Sequence, residues 1–139
     1  DGWLHTGDYA TLDEQGYFYF KGRKDDLINS SGYRIGPSEI ENTILSIDEV
    51  EMVAVVGVPD DLRGQIIKAV IVPRNKTYID SQNPELKDKI KNKVKNKLAA
   101  HEYPRIIEFV NELPLTTTGK IKRNIIREKH LRKINERKI

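Results

Sequence analysis

The sequence predicts an α+β fold: a small mixed β-sheet flanked by helices and preceded by a β-hairpin. Two β-branched runs, Val50 to Val58 and Ile66 to Val72, are too short for helices and are split by Pro59-Asp-Asp-Leu-Arg-Gly64, so they read as core strands. Between Leu86 and Leu98 lysine stands at every second position, which alone would imitate a strand. The apolar residues Leu86, Ile90, Val94 and Leu98 instead recur every fourth residue and make one narrow helical stripe. Strand and helix segments alternate, and no internal repeat is present.

The remaining elements follow in order. Gly16-Tyr-Phe-Tyr-Phe-Lys-Gly22 is an aromatic strand between glycines, and Leu12-Asp-Glu-Gln-Gly16 before it is the turn of a hairpin. Arg23-Lys-Asp-Asp26 is a charged connector and the principal boundary. Leu27-Ile28 and Tyr33-Arg-Ile35 form a second hairpin across the polar Asn29-Ser-Ser-Gly32 turn. Pro37 suits a first helical turn, and Ile40, Ile44 and Ile47 keep helical spacing, which predicts a helix over 37–47. Ile106-Ile107 and Phe109-Val110 follow Pro104 as a third core strand, and 121–134 carries a final basic helix.

The 139 residues suffice for one domain with a real core plus extra pieces. Asp1-Gly-Trp-Leu-His-Thr-Gly-Asp8 reads as the middle of an ordered structure, so the chain is expected to be a piece of a larger protein. With no cysteine there are no disulfides, no thiolate nucleophile and no cysteine zinc site. His5, His101 and His130 lack i, i+4 pairing, and no metal site is expected on this chain. No apolar run approaches the roughly 18 residues of a membrane span, nothing has the build of a signal peptide, and the cytoplasm is the expected compartment. The net charge of +3 and the basic stretch Lys120 to Lys138 raise the question of nucleic acid. Without interleaved aromatic residues that stretch reads as a solvated helix face, and no nucleic-acid partner is expected.

Phosphate chemistry is the reading for two other segments. Pro114-Leu-Thr-Thr-Thr-Gly-Lys120 approaches a P-loop but has Pro114 where glycine must bend the backbone and Ile121 where Ser or Thr must bind magnesium. What remains is a lysine behind a Thr/Gly lead-in that promises no stable element, so its ammonium could be carried in and out of a site. At a developing phosphate charge such a group contributes on the order of 10²–10³ in rate. In the second segment, from Gly22 to Arg34, glycines beside Arg23 and Arg34 permit bidentate contact to phosphate or carboxylate. Asp8, after Thr6-Gly7, could accept hydrogen bonds from ribose hydroxyls. Taken singly, each of these residues reads first as a turn residue, a surface charge or part of a helix start.

In this order on one chain, however, Gly2-Trp-Leu-His-Thr-Gly-Asp8, Tyr19 to Ile28, Gly32-Tyr-Arg-Ile-Gly-Pro-Ser-Glu-Ile-Glu41, Val58-Pro-Asp60 and Pro114 to Lys120 resemble the C-terminal motifs of adenylate-forming acyl-CoA synthetases. Within that family the form Gly-Tyr-Arg-Ile-Gly-Pro and Tyr103-Pro-Arg-Ile-Ile-Glu-Phe-Val110 are most similar to the acetyl and medium-chain enzymes. The resemblance implies the mobile C-terminal domain fold and a two-step ligation: a carboxylic acid and Mg-ATP give an acyl-adenylate and pyrophosphate, and coenzyme A then displaces AMP. It further implies that a small domain rotates on a hinge between the two half-reactions.

Carried over by resemblance, Lys120 is the adenylation lysine. Asp8 holds the ATP ribose, Arg23 contacts the nucleotide at the domain border, and Arg34 reaches nucleotide or coenzyme A phosphate. Lys24 and Asp25 sit at the hinge, and Ser31 and Gly32 line the pantetheine tunnel. The implied division is 1–23 as the end of an N-terminal adenylation domain, 24–26 as the hinge and 27–139 as the C-terminal domain. ATP and Mg2+ would be held mainly by the N-terminal domain of the same chain, which is also the expected partner. A lysine acetyltransferase and deacetylase acting on Lys120 are implied as well, since acetylation removes the cation. Gln65 stands where many relatives have glutamate. Alternatives are an adenylation domain loading a pantetheine carrier protein, a basic nucleic-acid-binding module, or a purely regulatory domain. Alone, the chain is expected to be inactive.

Overall fold

The computed structural model describes residues 8–12, 18–23 and 26–137. Strands β1 (Asp8–Leu12) and β2 (Phe18–Arg23) pair antiparallel, with Leu12 opposite Phe18 and Asp8 opposite Arg23, and the register shifts between Tyr9 and Ala10. The expected turn between them lies, beyond Leu12, outside the described residues, as do Lys24 and Asp25.

Strands β3 (Ile28–Ser30) and β4 (Tyr33–Ile35) form the second predicted hairpin. Its loop is the pair Ser31-Gly32, with φ of 52° and 85°. Two successive positive φ angles mark the turn class that matches the twist of paired strands. Helix α1 (Pro37–Leu45) starts on Pro37 as predicted and stops two residues early, because the Ser46 N–H and hydroxyl turn back onto the Thr43 carbonyl at 3.3 and 2.6 Å. Ile47 nevertheless stays buried.

Strands β5 (Val50–Asp60) and β6 (Gly64–Pro73) are the spine of the domain, antiparallel from Met52 opposite Val72 to Asp60 opposite Gly64. Both run longer than the apolar sequence. The Asp60 carboxylate accepts the Leu62 and Arg63 N–H groups at 3.2 and 2.9 Å, and Gly64, at φ 83°, closes the turn within the ladder. The short α2 (Thr77–Ser81) was not foreseen; the Asn75 side chain nucleates it by accepting the Thr77 N–H and hydroxyl at 3.1 and 2.7 Å. Helix α3 (Pro84–Lys97) follows, capped by the Asn83 side chain on the Leu86 N–H at 3.0 Å, with Leu86, Ile90 and Val94 buried as the spacing predicts.

A 3-10 turn at Ala100–Glu102, also unforeseen, leads into β7 (Ile106–Phe109). This strand runs parallel to β6, from Lys68 opposite Ile106 to Ile71 opposite Phe109, and makes the sheet mixed. The Gln82 amide pairs with the backbone of Phe109 at 2.9 Å in both directions. Helix α4 (Arg123–Arg137) closes the described chain. It begins later than predicted because Ile121 bridges Leu115 and the Lys122 N–H donates to the Pro114 carbonyl at 2.9 Å.

Both sheet faces are covered, which explains the unbroken burial from Val53 to Val58. On one face Val53, Val55, Ile67, Ala69 and Ile71 meet Ile40 and Ile44 of α1 and Leu86, Ile90 and Val94 of α3. On the other, Ala54, Val56, Val58, Val70 and Val72 meet Leu113 and Ile126 of α4. The second layer is thinner, and α4 supplements it with charge.

Candidate functional site

Lys120 stands on a closed turn. Thr116 and Gly119 N–H groups donate to the Lys120 and Thr116 carbonyls at 2.7 and 2.9 Å. The Thr116 hydroxyl accepts the Lys120 N–H and meets the Thr118 hydroxyl, each at 3.0 Å. Gly119 has φ 89°, a conformation that glycine adopts without strain. The expected lead-in without stable structure is therefore corrected: the threonines bond to the turn instead of loosening it. The Lys120 side chain is exposed, and its ammonium has no hydrogen bond or ion pair among the described residues.

The second group of predicted residues gathers on the β3–β4 hairpin. Ser31, Gly32 and Arg34 are all exposed there. The Ser31 N–H donates to the Arg63 carbonyl at 3.0 Å, which fastens the tip to the β5–β6 turn. A Cβ on Gly32 would meet nothing within 4 Å, so backbone conformation, not crowding, calls for glycine. Gln65 supports this hairpin from below: its side-chain oxygen accepts the Asn29 N–H at 2.8 Å, a bond that a glutamate would also accept. Gly57 leaves the room, since a Cβ there would come within 2.9 Å of that oxygen. Asp8 and Arg23 are in register on the separate β1–β2 ribbon. The structure thus brings Ser31, Gly32 and Arg34 together and pairs Asp8 with Arg23, while among the described residues no hydrogen bond or ion pair joins Lys120 to the hairpin.

Sequence reasoning missed the aromatic neighbour of the hairpin. Tyr33, half-exposed, stacks on His101 with centroids 3.9 Å apart and planes 9° from parallel. Nearby in the chain, Tyr103 carries Lys95 and Arg105 over its ring at 4.3 and 4.9 Å. Flat rings beside cations can take a nucleotide base with its phosphate.

A buried ionic cluster was also missed. Asp26, expected in a charged connector, is buried and accepts Arg123 Nη1 at 3.5 Å and Arg127 Nη1 at 3.2 Å. Arg123 also grips both oxygens of buried Glu41, whose Oε2 takes the Val55 N–H at 2.9 Å. Burial pushes the Glu41 carboxyl above its usual range, and the Arg123 contact and the Val55 N–H only partly offset it. Under the second half of α4 lies another cluster: buried Lys68 meets His130 Nδ1 at 3.0 Å and Glu108 at 3.3 Å, and Lys133 reaches Glu108 at 3.3 Å. Burial holds Lys68 below the usual lysine value against the pull of Glu108. Burial acts to raise Glu108, but Lys68 and Lys133 outweigh it and leave its carboxyl below the usual value. A cavity of about 290 Å³ separates this part of α4 from β6 and β7. Among the described residues no group of three or more histidine or acidic side chains is placed to hold a metal ion. No helix among them is long and apolar enough to cross a membrane.

Comparison with known proteins identifies the family. Residues 39–120 match the AMP-binding enzyme C-terminal domain. The chain is 49% identical over 129 residues to 4-hydroxybutyrate–CoA ligase 1 of Metallosphaera sedula, covering 93% of this chain and 22% of the relative. It is 47% identical to a mitochondrial acyl-coenzyme A synthetase of Mus musculus, over 89% of this chain and 21% of that protein. Among solved structures, an anthranilate CoA ligase in complex with anthranoyl-AMP superposes with a TM-score of 0.80 at 37% identity, over 93% of this chain and 24% of the other. A Brucella canis acyl-CoA synthetase does so at 0.71 and 42%, over 92% and 23%. The chain spans about a fifth of the length of these curated relatives. It belongs to the family of AMP-binding enzyme C-terminal domains, and the relatives named above are acyl-CoA ligases and synthetases.

Proposed function

We propose that this chain is the moving part of an AMP-forming acyl-CoA ligase, with residues 1–23 ending an adenylation domain, 24–26 acting as hinge and 27–139 as the swivelling domain. In the first step a carboxylate oxygen attacks the α-phosphorus of ATP, and the bond to pyrophosphate breaks. Lys120 lies against the carboxylate and α-phosphate and offsets the charge that builds there. Asp8 and Arg23, opposite each other on β1–β2, hold ribose and nucleotide at the domain border. After rotation about Lys24 and Asp25, Ser31 and Gly32 line the path of the pantetheine arm and Arg34 meets a phosphate. The thiol of coenzyme A then attacks the acyl carbon, and AMP leaves. Magnesium, which would screen the ATP phosphates, is assigned to the adenylation domain.

One observation carries the reading. The exposed ammonium of Lys120, which has no hydrogen bond or ion pair among the described residues, sits on a hydrogen-bonded turn and is presented to solvent, while the hairpin offers a second exposed face. The same exposure makes Lys120 a substrate for an acetyltransferase, and acetylation would remove the charge on which adenylation depends. We place the ligase in the cytoplasm; cell fractionation would separate this from the mitochondrial location in the mouse relative's name. The deciding experiment is Lys120→Ala in the full-length ligase. Adenylate formation should fall by about 10²–10³, while supplied acyl-adenylate still goes to thioester. Equal loss of both half-reactions would refute the role of Lys120.

A further inference from the structure

Rotation about a hinge moves Lys120 usefully only if the lysine turn is fixed to the segment leaving the hinge, and the two lie far apart in the chain. Asp26 is the first residue after Lys24 and Asp25, and it is clamped by Arg123 and Arg127 of α4. Arg123 is the third residue after Lys120. The intervening Ile121 and Lys122 are both pinned, by the bridge to Leu115 and by the bond to Pro114, so little slack separates the guanidinium from the lysine turn. Through Glu41 and the Val55 N–H the same guanidinium is tied to α1 and to β5, the spine of the sheet.

We propose that Asp26, Glu41, Arg123 and Arg127 form a coupling that fixes the Lys120 turn to the hinge, which makes Asp26 and Arg123 positioning residues for adenylation. The consequence for catalysis rests on the functional reading above. The mechanical part stands without it. A planar guanidinium with three nitrogens engaged holds direction as well as distance, which a lone ammonium cannot. The side chains of Asp26, Glu41 and Arg123 are 11%, 9% and 19% exposed, so little water competes for these bonds. A cluster that served stability alone would weaken the whole domain when altered and would disturb both half-reactions equally.

Two variants and two readouts test this. In Asp26→Asn and Arg123→Lys of the present chain, amide exchange at Thr116, Gly119, Lys120 and Lys122 should accelerate about tenfold or more, with β5 and β6 amides changed less than about twofold. In the full-length ligase, kcat for adenylate formation should drop about 10- to 100-fold. The carboxylate KM and thioester formation from supplied acyl-adenylate should hold within about twofold. Faster exchange spread evenly over the sheet, or equal loss of both half-reactions, would overturn the proposal. So would an Arg123→Lys variant that matches wild type in both readouts. Should Arg123→Lys fail to fold, the same amides in Asp26→Asn decide. Exchange confined to the turn in an enzyme whose wild type forms no adenylate would uphold the coupling and refute the functional reading.

Discussion

Along α4, two ionic contacts face the sheet. At its start Arg123 and Arg127 reach the buried carboxylates of Asp26 and Glu41; further on, His130 and Lys133 stand over Lys68 and Glu108. Burial outweighs attraction in both places, raising the Glu41 pKa in one and lowering that of Lys68 in the other. Neither cluster is therefore a simple gain in stability. They differ in what remains when a partner is removed. Without Arg123, Glu41 stays buried beside Asp26 with a single backbone N–H. Without Lys68, Glu108 keeps Lys133 at 3.3 Å and a side chain 31% exposed to water. A buried charge held by one planar fork depends on its geometry, whereas a half-exposed charge with spare partners does not.

The largest effect should come from Arg123→Leu, which leaves a buried carboxylate unpaired and should cost about 3–5 kcal/mol in urea unfolding. The sign of its pH dependence follows from Glu41. A carboxyl whose folded pKa is raised contributes stability below its unfolded value near 4.5, and that contribution is lost as pH rises through the folded value. Removing Arg123 raises the folded value further, so the deficit should be smaller in acid than at neutral pH. Gly119→Ala forces a side chain to φ 89° and should cost about 1 kcal/mol, with the loss confined to the Lys120 turn in amide exchange.

Glu108→Gln should cost less, roughly 0.5–1 kcal/mol after allowance for solvent screening. Because the Glu108 pKa is depressed, the stability it provides is present above the usual 4.5 and lost as pH falls through its lower folded value. The variant and wild type should therefore converge in acid. Lys68→Met should be the mildest, within about 1 kcal/mol of wild type or more stable. The lowered Lys68 pKa means that its stabilising contribution is present above the usual 10.5 and is lost as pH falls through the folded value. The methionine variant should gain on wild type as pH is lowered from that range. If Lys68→Met proved as damaging as Arg123→Leu, the contrast between the two clusters would fail.

Most elements were legible because their signals are local. The isoleucines of α1, the fourfold spacing of α3 and the β-branched runs of β5 and β6 state their structure within a few residues. The misses have local explanations too. Residues 121–122 read as helix because nothing nearby announces the bond to Pro114, and α2 depends on one asparagine side chain. At the candidate site, motif resemblance named Lys120, Ser31, Gly32 and Arg34. It could not say that the threonines before Lys120 close a turn, or that Tyr33 lies flat on His101.

The sequence by itself determined which segments are helix or strand, and that a lone cation is offered after a Thr/Gly stretch, since periodicity, proline and glycine act on neighbouring backbone. Only the tertiary structure decided which charges leave water and whom they meet. Asp26 and Arg127 are 101 positions apart, and nothing in either neighbourhood distinguishes a buried acid from a solvated one until packing has excluded the solvent.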